Sequence, residues 1–300
     1  LLCARRAALD FAIARARQLY QQAEALLLEM PEAPRQEQVA AFAGLADVLM
    51  LVGDHEGARD RYRTALRWLT AGAETWPPEE AAALQRKIAS TFEAEGAYEQ
   101  MLVWLEEALG SLGDADTPPA RLERTRIYSD IGWAYVRLGQ HDLAEGWLHQ
   151  ALAMAQDDSN HDVSASIYTR LAGVAFRQGD WPSAARYEQQ SLAQQNMAGD
   201  VQGMANTYTS LGILMQLQGQ WDEALMYLTS ARSIFERTGD ARGLASNCNQ
   251  LGQLYIHWGK LDQARVILER GWEFATLADY IPAQTRLSIS LAELAQWQGD

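Results

Sequence analysis

The sequence has few of the features that are typical of membrane proteins, nucleic-acid-binding proteins or disulfide-linked proteins. Its 300 residues include only two cysteines, Cys3 and Cys248, whose wide separation predicts neither a disulfide framework nor a zinc site. No apolar run approaches the roughly 18 residues that a membrane-spanning helix needs. Positively charged residues are also few. The 25 Lys and Arg are outnumbered by 39 Asp and Glu, which leaves a formal net charge of −14. We therefore expect a cytoplasmic protein whose partner is neither nucleic acid nor a membrane.

Glycine, by contrast, recurs at a nearly fixed interval along the chain. The steps are 43, 43, 40, 40, 40 and 40 residues between Gly53, Gly96, Gly139, Gly179, Gly219, Gly259 and Gly299. A period of this size indicates a solenoid, in which one helix–turn–helix unit is stacked repeatedly. Glycine suits the turn because it ends a helix in the left-handed conformation without a Cβ penalty.

Residues of one kind also recur at fixed positions relative to these glycines. In the first helix, a leucine-like residue is followed by a small one, at Leu45-Ala46, Ile88-Ala89, Ile131-Gly132, Leu171-Ala172, Leu211-Gly212, Leu251-Gly252 and Leu291-Ala292. The second helix carries a small residue at Ala58, Ala144, Ala184, Ala224 and Ala264, with Met101 as the exception. Small residues in facing positions let paired helices approach closely. The pattern predicts an all-α fold of helix pairs.

This unit resembles the tetratricopeptide repeat (TPR), which reads aromatic-x2-Leu-Gly-x2-Tyr, then Gly, then Ala-x3-aromatic-x2-Ala. The corresponding stretch here is Tyr128-x2-Ile131-Gly132-x2-Tyr135, Gly139, Ala144-x3-Leu148-x2-Ala151. The resemblance covers essentially the whole chain and implies a right-handed superhelical solenoid of antiparallel helix pairs. The period exceeds the family's usual 34 residues. Such long units resemble those of kinesin light chains and of signal-transduction ATPases with numerous domains (STAND proteins).

We predict one continuous solenoid over residues 1–300, cut at both ends from a longer polypeptide. Residues 1–30 are a partial repeat, in which Ala16, Tyr20 and Ala23 match the second helix. Residues 35–117 are two longer repeats, and their joints contain Pro31, Pro34, Pro77-Pro78 and Pro118-Pro119. Residues 118–279 are four regular 40-residue repeats, with helix joints at Gly199-Asp200 and Gly239-Asp240. Residues 280–300 are the first helix of a truncated repeat.

Motifs that carry catalysis or hold a metal are absent. The chain has no His-Glu-x-x-His, no Gly-x-Ser-x-Gly and no Gly-x4-Gly-Lys-Ser/Thr. His55 and His141 share a helix-start position with Trp181 and Trp221, so we interpret them as structural. Cys248 replaces a tyrosine of other repeats and has no base beside it, which favours a buried packing thiol. We predict a non-enzymatic protein without metal or cofactor.

The resemblance also implies where a ligand would bind, because first helices line the concave groove of this family. Transferred to this chain, the groove contains Arg126, Ser129, Trp133, Arg137, Thr169, Phe176, Arg177, Asn206, Thr209, Ile213, Gln216, Ser246, Asn249, Gln253 and His257. This set has three arginines and no carboxylate, which favours an extended acidic peptide, since arginine pairs bidentately with carboxylate and amides bond backbone. The alternative is that the arginines bridge neighbouring repeats or remain solvated.

One specialisation of the family is excluded. Chaperone-binding members hold a C-terminal carboxylate with a Lys/Asn/Asn/Lys/Arg set, and those positions here hold Ser129, Trp133, Gly173, Thr169, Thr209 and Ile213.

Three functional hypotheses follow, all built on a non-catalytic protein–protein interaction module. The preferred one is the ligand-sensing or scaffold region of a larger signalling protein such as a STAND ATPase, with a nucleotide-binding domain in the same polypeptide. The second is a freestanding adaptor, and the mass of the native polypeptide relative to 33.4 kDa separates it from the first. The third is the small-molecule-sensing region of a transcription regulator, for which a thermal shift with metabolites but no protein partner would argue.

Overall fold

The computed structural model describes residues 1–9, 12–30, 33–71, 76–157 and 160–298. These residues form 15 α-helices and contain no strand, so the fold is an all-α helical-repeat solenoid, as the sequence predicts. Gly299 and Pro31, which the sequence analysis assigns to joints, lie outside the described residues. The chain divides into two compact units, residues 1–158 and 159–300, which we call the N-terminal and C-terminal units.

Each unit is a succession of helices in which neighbours along the chain pack together. The N-terminal unit contains α1 (Leu2–Leu9), α2 (Ile13–Glu29), α3 (Arg35–Leu51), α4 (His55–Thr70), α5 (Pro78–Ser90), α6 (Tyr98–Leu112), α7 (Pro118–Arg137) and α8 (His141–Asp157). The C-terminal unit contains α9 (His161–Gln178), α10 (Trp181–Ala198), α11 (Val201–Leu217), α12 (Trp221–Thr238), α13 (Ala241–His257), α14 (Leu261–Leu277) and α15 (Ile281–Gln298). Helices with odd numbers are the first helices of the repeats.

The long period of the C-terminal unit is accommodated in its helices. They contain 17 or 18 residues each and are joined by only two or three residues. Such short joints make consecutive helices antiparallel neighbours. Within the unit, first helices also contact one another, α11 with α13 and α13 with α15. Side chains on these helices are therefore brought together across repeats.

Two helix joints have the conformation that their Gly-Asp sequence predicts. Gly199 and Gly239 adopt the left-handed conformation, with φ of 73° and 69°, and end α10 and α12. Asp200 then caps α11 by accepting from the N–H of Gly203 at 2.8 Å. Asp240 caps α13 in the same manner, with a distance of 2.9 Å to the N–H of Gly243. Each pair ends one helix and begins the next.

The recurring small and leucine-like residues form the core. The leucine-like position is at most 2% exposed at Leu45, Ile88, Ile131, Leu171, Leu211 and Leu251. The small position lies against the leucine of the second helix, and a Cβ added to Gly212 would be 2.6 Å from Leu228 Cγ. A side chain larger than the alanine found at this position in other repeats would overpack the contact between the two helices. Cys248 is fully buried, as predicted, and burial raises the pKa of its thiol to about 11.

One repeat of the N-terminal unit is irregular. Met101 is 2% exposed at the position where the other second helices have alanine, and the opposing helix α5 ends early, at Ser90. Arg59 from α4 covers this end, because its Nε donates to Thr91 Oγ1 at 2.8 Å and its Nη2 to the Thr91 backbone oxygen at 3.3 Å. The arginine thereby satisfies a carbonyl that the shortened helix leaves without a helical partner.

Candidate functional site

In the N-terminal unit, two predicted groove residues contact the preceding repeat. The Nε1 of Trp133 donates to Glu93 Oε1 at 2.7 Å. The Nε of Arg137 donates to the Tyr98 hydroxyl at 2.8 Å, and its guanidinium lies 5.4 Å from the centre of the Tyr98 ring. Arg137 therefore bridges α7 to α6, which is the alternative that the sequence leaves open for the arginines. Its side chain is nevertheless exposed.

Of the other two predicted residues of α7, Arg126 lies among charged side chains and Ser129 is buried. Arg126 Nη1 lies 3.5 Å from Glu123 Oε2, and Glu123 also accepts from Arg86 Nε at 2.5 Å. Arg86 contacts Asp130 as well, at 3.3 Å. Ser129 is only 4% exposed. The predicted set itself contains no carboxylate, yet Glu93 and Glu123 both contact it, so this surface is less favourable to an acidic ligand than its own residues indicate.

In the C-terminal unit, α9 contributes three predicted residues. One of them has hydrogen-bond partners within the fold, and the other two are exposed. The Thr169 hydroxyl lies 3.2 Å from the Ala165 backbone oxygen and 2.9 Å from Ser191 Oγ. Phe176 is 46% exposed. Arg177 is also exposed and makes no hydrogen bond or ion pair within the described part of the chain. Arg177 and Phe176 are therefore available to a ligand.

A second group of predicted residues joins α11 and α13 to each other and to α15. Gln216 Nε2 lies 2.8 Å from His257 Nδ1, and His257 Nε2 lies 3.7 Å from Glu293 Oε1. The Asn249 Oδ1 accepts from Ser290 Oγ at 2.9 Å, and Asn249 is 4% exposed. Gln253 Nε2 donates to the same Ser290 Oγ at 3.4 Å. These amides already have partners within the fold.

The structure brings three predicted residues together around a cavity of about 300 Å³ between α11 and α13. Asn206 and Thr209 come from α11 and Ser246 from α13. The complete lining is Gln202, Asn206, Thr209, Phe235, Asp240, Arg242, Gly243, Ser246, Asn247 and Tyr280. Because the first helices of adjacent repeats lie side by side, residues 40 positions apart in sequence face one space. We call this space the α11–α13 cavity.

Hydrogen bonds organise part of this lining and leave part of it free. Asp240 accepts from Gly243 N and, through Oδ2, from Gln202 Nε2 at 3.2 Å. The Thr209 hydroxyl donates to the Ala205 backbone oxygen at 3.0 Å, so its oxygen remains an acceptor. Asn206 is exposed and makes no hydrogen bond within the described residues. The cavity therefore offers both donors and acceptors to a polar ligand.

Sequence reasoning predicted only three of the ten residues that line this cavity, Asn206, Thr209 and Ser246. Gln202, Arg242 and Tyr280 lie near helix starts, outside the groove positions that the family pattern gives. The sequence predicts Asp240 only as a helix cap and not as a residue of a binding site. Asn247 did carry a signal, because an amide stands where the equivalent residue Ile167 is fully buried and apolar. A polar residue at a core position is the kind of departure that marks a site.

Two general findings concern the chemistry of the described residues. They contain no group of three or more His, Cys, Asp and Glu side chains that could hold a metal ion. None of their helices combines the length and apolar character that crossing a bilayer requires.

The sequence profile of the tetratricopeptide repeat family matches residues 123–196 and 203–276. The chain is a tetratricopeptide repeat array. No curated protein matches it in sequence. The match to the family profile confirms the TPR resemblance that the helix pattern indicates.

Several solved structures have a similar fold. BtubC (BKLC) from P. vanneervenii aligns with a TM-score of 0.61 and 19% identity, over 83% of this chain and 93% of that chain. The STAND protein with a TPR sensor from Pyrococcus horikoshii aligns with a TM-score of 0.66 and 15% identity, over 90% of this chain but 42% of that one. The Rap conjugation gene regulator of plasmid pLS20, solved with the Phr* peptide, gives 0.63 and 15%, over 87% and 76%. At such low identities the likeness shows the fold alone.

Proposed function

We propose that this TPR array is a non-catalytic interaction module that binds a peptide or protein on its first helices. One observation carries the proposal. Asn206, Thr209 and Ser246, which the family pattern assigns to ligand binding, line one cavity between neighbouring first helices. Amides and hydroxyls suit the backbone of an extended peptide, because they donate and accept hydrogen bonds. The peptide complex of the Rap regulator supports the same type of ligand.

The proposal extends to the chemistry of the ligand, which we propose to be acidic where it meets Arg177. This arginine is exposed at the end of α9 and makes no ion pair within the described residues, so its donors are available to a carboxylate. Phe176 beside it offers an apolar contact. Arg137 is a weaker candidate because Tyr98 already accepts from it.

We test this with peptides selected from a random display library on the purified chain, with Kd measured by fluorescence anisotropy. Arg177→Ala is expected to weaken an acidic peptide about tenfold, which corresponds to about 1.4 kcal/mol. Arg237→Ala is the matched control, since both arginines are exposed in the last turn of a helix, but Arg237 belongs to the second helix α12. Failure to select any binder contradicts the interaction function. Selected peptides that bind Arg177→Ala as well as the wild type contradict only the acidic preference.

The proposal also places the module in a larger protein. We propose a cytoplasmic sensor or scaffold region of a signalling protein, with a nucleotide-binding domain in the same polypeptide, supported by the fold shared with the TPR-sensor STAND protein. A native mass well above 33.4 kDa on an immunoblot supports this form. A mass close to that value favours a freestanding adaptor, and a thermal shift with small metabolites alone favours the sensing region of a transcription regulator.

A further inference from the structure

One residue that lines the α11–α13 cavity, Asn247, has a buried hydrogen-bond acceptor without a partner among the described residues. Asn247 is 1% exposed, and its Nδ2 donates to the Leu228 backbone oxygen at 3.0 Å. That bond fixes the orientation of the amide, because the opposite orientation would place two oxygens against each other. The Oδ1 atom is then left buried, with no hydrogen bond from the described residues. Buried polar atoms are nearly always paired, so this unpaired acceptor, on a residue that lines the cavity, calls for a donor that the described residues do not supply.

A carboxylate lines the same cavity. Asp240 accepts from Gly243 N and from Gln202 Nε2, and both donors are neutral. Carboxylate oxygens can accept further bonds, and Asp240 forms no ion pair within the described residues. Its negative charge also opposes an anion at the positive end of α13, which Asp240 already caps. The other charged residue of the lining is Arg242, whose guanidinium lies over Tyr280, so the charge of Asp240 favours a cation only where the ligand reaches this carboxylate.

Two aromatic rings complete the cavity. Phe235 is 4% exposed and Tyr280 partly exposed, and both line the space. The guanidinium of Arg242, which also lines the cavity, lies 5.5 Å from the centre of the Tyr280 ring, so Tyr280 already contacts a cation and Phe235 is the free ring. The rings offer contact to an aliphatic chain that leads a charged group inwards.

We propose that the α11–α13 cavity binds an alkyl ammonium group. The ammonium has three donors and no acceptor, which matches the unpaired Asn247 Oδ1 and the Asp240 carboxylate. Its alkyl chain packs on Phe235. The group is either a lysine side chain of a bound peptide, in which case the inference rests on the proposed function, or a free alkylamine.

The test uses small probes, so that it does not depend on a peptide ligand. N-acetyl-lysine amide, cadaverine and N-acetyl-norleucine amide are titrated into the isotope-labelled chain and followed by NMR chemical shifts. The first two are expected to shift residues of the cavity, whereas the norleucine derivative, which lacks the ammonium, is not. Tighter binding of the lysine derivative indicates a peptide lysine, and tighter binding of cadaverine indicates a free amine. Equal binding of all three probes, or of none, overturns the proposal.

Matched variants then test the assigned acceptors. Asp240→Asn retains a good helix cap but removes the charge. It should weaken amine binding at least tenfold, while Asp200→Asn, which alters the equivalent cap of α11 outside the cavity, should not. Asn247→Thr removes the amide acceptor and introduces the residue found at the equivalent position, Thr207, and it should also weaken binding.

The direction in which Asp240→Asn changes amine binding decides whether the proposal holds. Unchanged or tighter amine binding by Asp240→Asn overturns the proposal, because the carboxylate would then not attract the ammonium. If the cavity binds no amine while the affinity of selected peptides still depends on Arg177, the amine site is contradicted and the proposed function is not.

Discussion

At the scale of single residues, Glu188 departs furthest from its repeat position. It lies on α10 where the other second helices of the C-terminal unit carry Leu228 and Leu268, and it is 6% exposed. Burial raises the pKa of Glu188 to about 7, although hydrogen bonds from Ser210 and Thr207 act in the opposite direction. The folded state therefore favours the protonated carboxyl, because a buried charge without a cation is costly.

This residue predicts a dependence of stability on pH. The pKa of Glu188 is raised from 4.5 to about 7, so folding binds a proton between these values. The contribution of Glu188 to stability should be greatest below about pH 4.5 and fall as the pH rises towards 7, by at most about 3 kcal/mol. Glu188→Gln should lack this loss. Urea unfolding of both proteins at pH 5 and pH 8 measures it, and a stability difference that does not change with pH would contradict the assignment.

At the scale of helices and joints, one joint replaces glycine by aspartate. Asp279 follows α14 at the position of Gly199 and Gly239 and has a positive φ of 47°. A side chain in this region is strained, although aspartate tolerates it better than most residues. The side chain of Asp279 makes no hydrogen bond within the described residues to offset that strain.

The joint therefore offers a stabilising substitution. Asp279→Gly should raise the free energy of unfolding by about 0.5–1 kcal/mol, because relief of strain exceeds the added freedom of the unfolded chain. Gly239→Asp, the reverse change at an equivalent joint, should lower it by about 1 kcal/mol. Both are measured by urea unfolding. A loss of stability in Asp279→Gly would show that the aspartate side chain contributes a contact.

Helices and joints are also where sequence reasoning was most successful. Glycine stops, aspartate caps and the Gly–Leu contacts follow from residues that are close in sequence or repeat at one interval, so a single chain displays them. The α11–α13 cavity could be predicted only in part. Asn206 and Ser246 follow from the family pattern, but Phe235, Asn247 and Tyr280 come from α12, α13 and the joint before α15. Whether Asn247 Oδ1 finds a partner depends on packing that no local pattern reports.

At the scale of the whole molecule, the net charge of −14 selects among ligands. A strongly acidic protein attracts cations over long range and repels anions. An ammonium in the α11–α13 cavity agrees with this field, whereas an acidic peptide must gain enough from Arg177 to overcome it. The two proposals therefore differ in salt dependence, since salt screens attraction in the first case and repulsion in the second.

The central claim is that ligands bind on the first helices, and hydroxyl-radical footprinting with a selected peptide tests it most directly. Phe176 on the first helix α9 is 46% exposed, and Met226 and Trp272 on the second helices α12 and α14 are 55% and 41% exposed. All three side chains are reactive, so their oxidation reports which surface the peptide covers. We predict that the peptide protects Phe176 and leaves Met226 and Trp272 unchanged. Protection of Met226 and Trp272 with Phe176 unchanged would contradict the account.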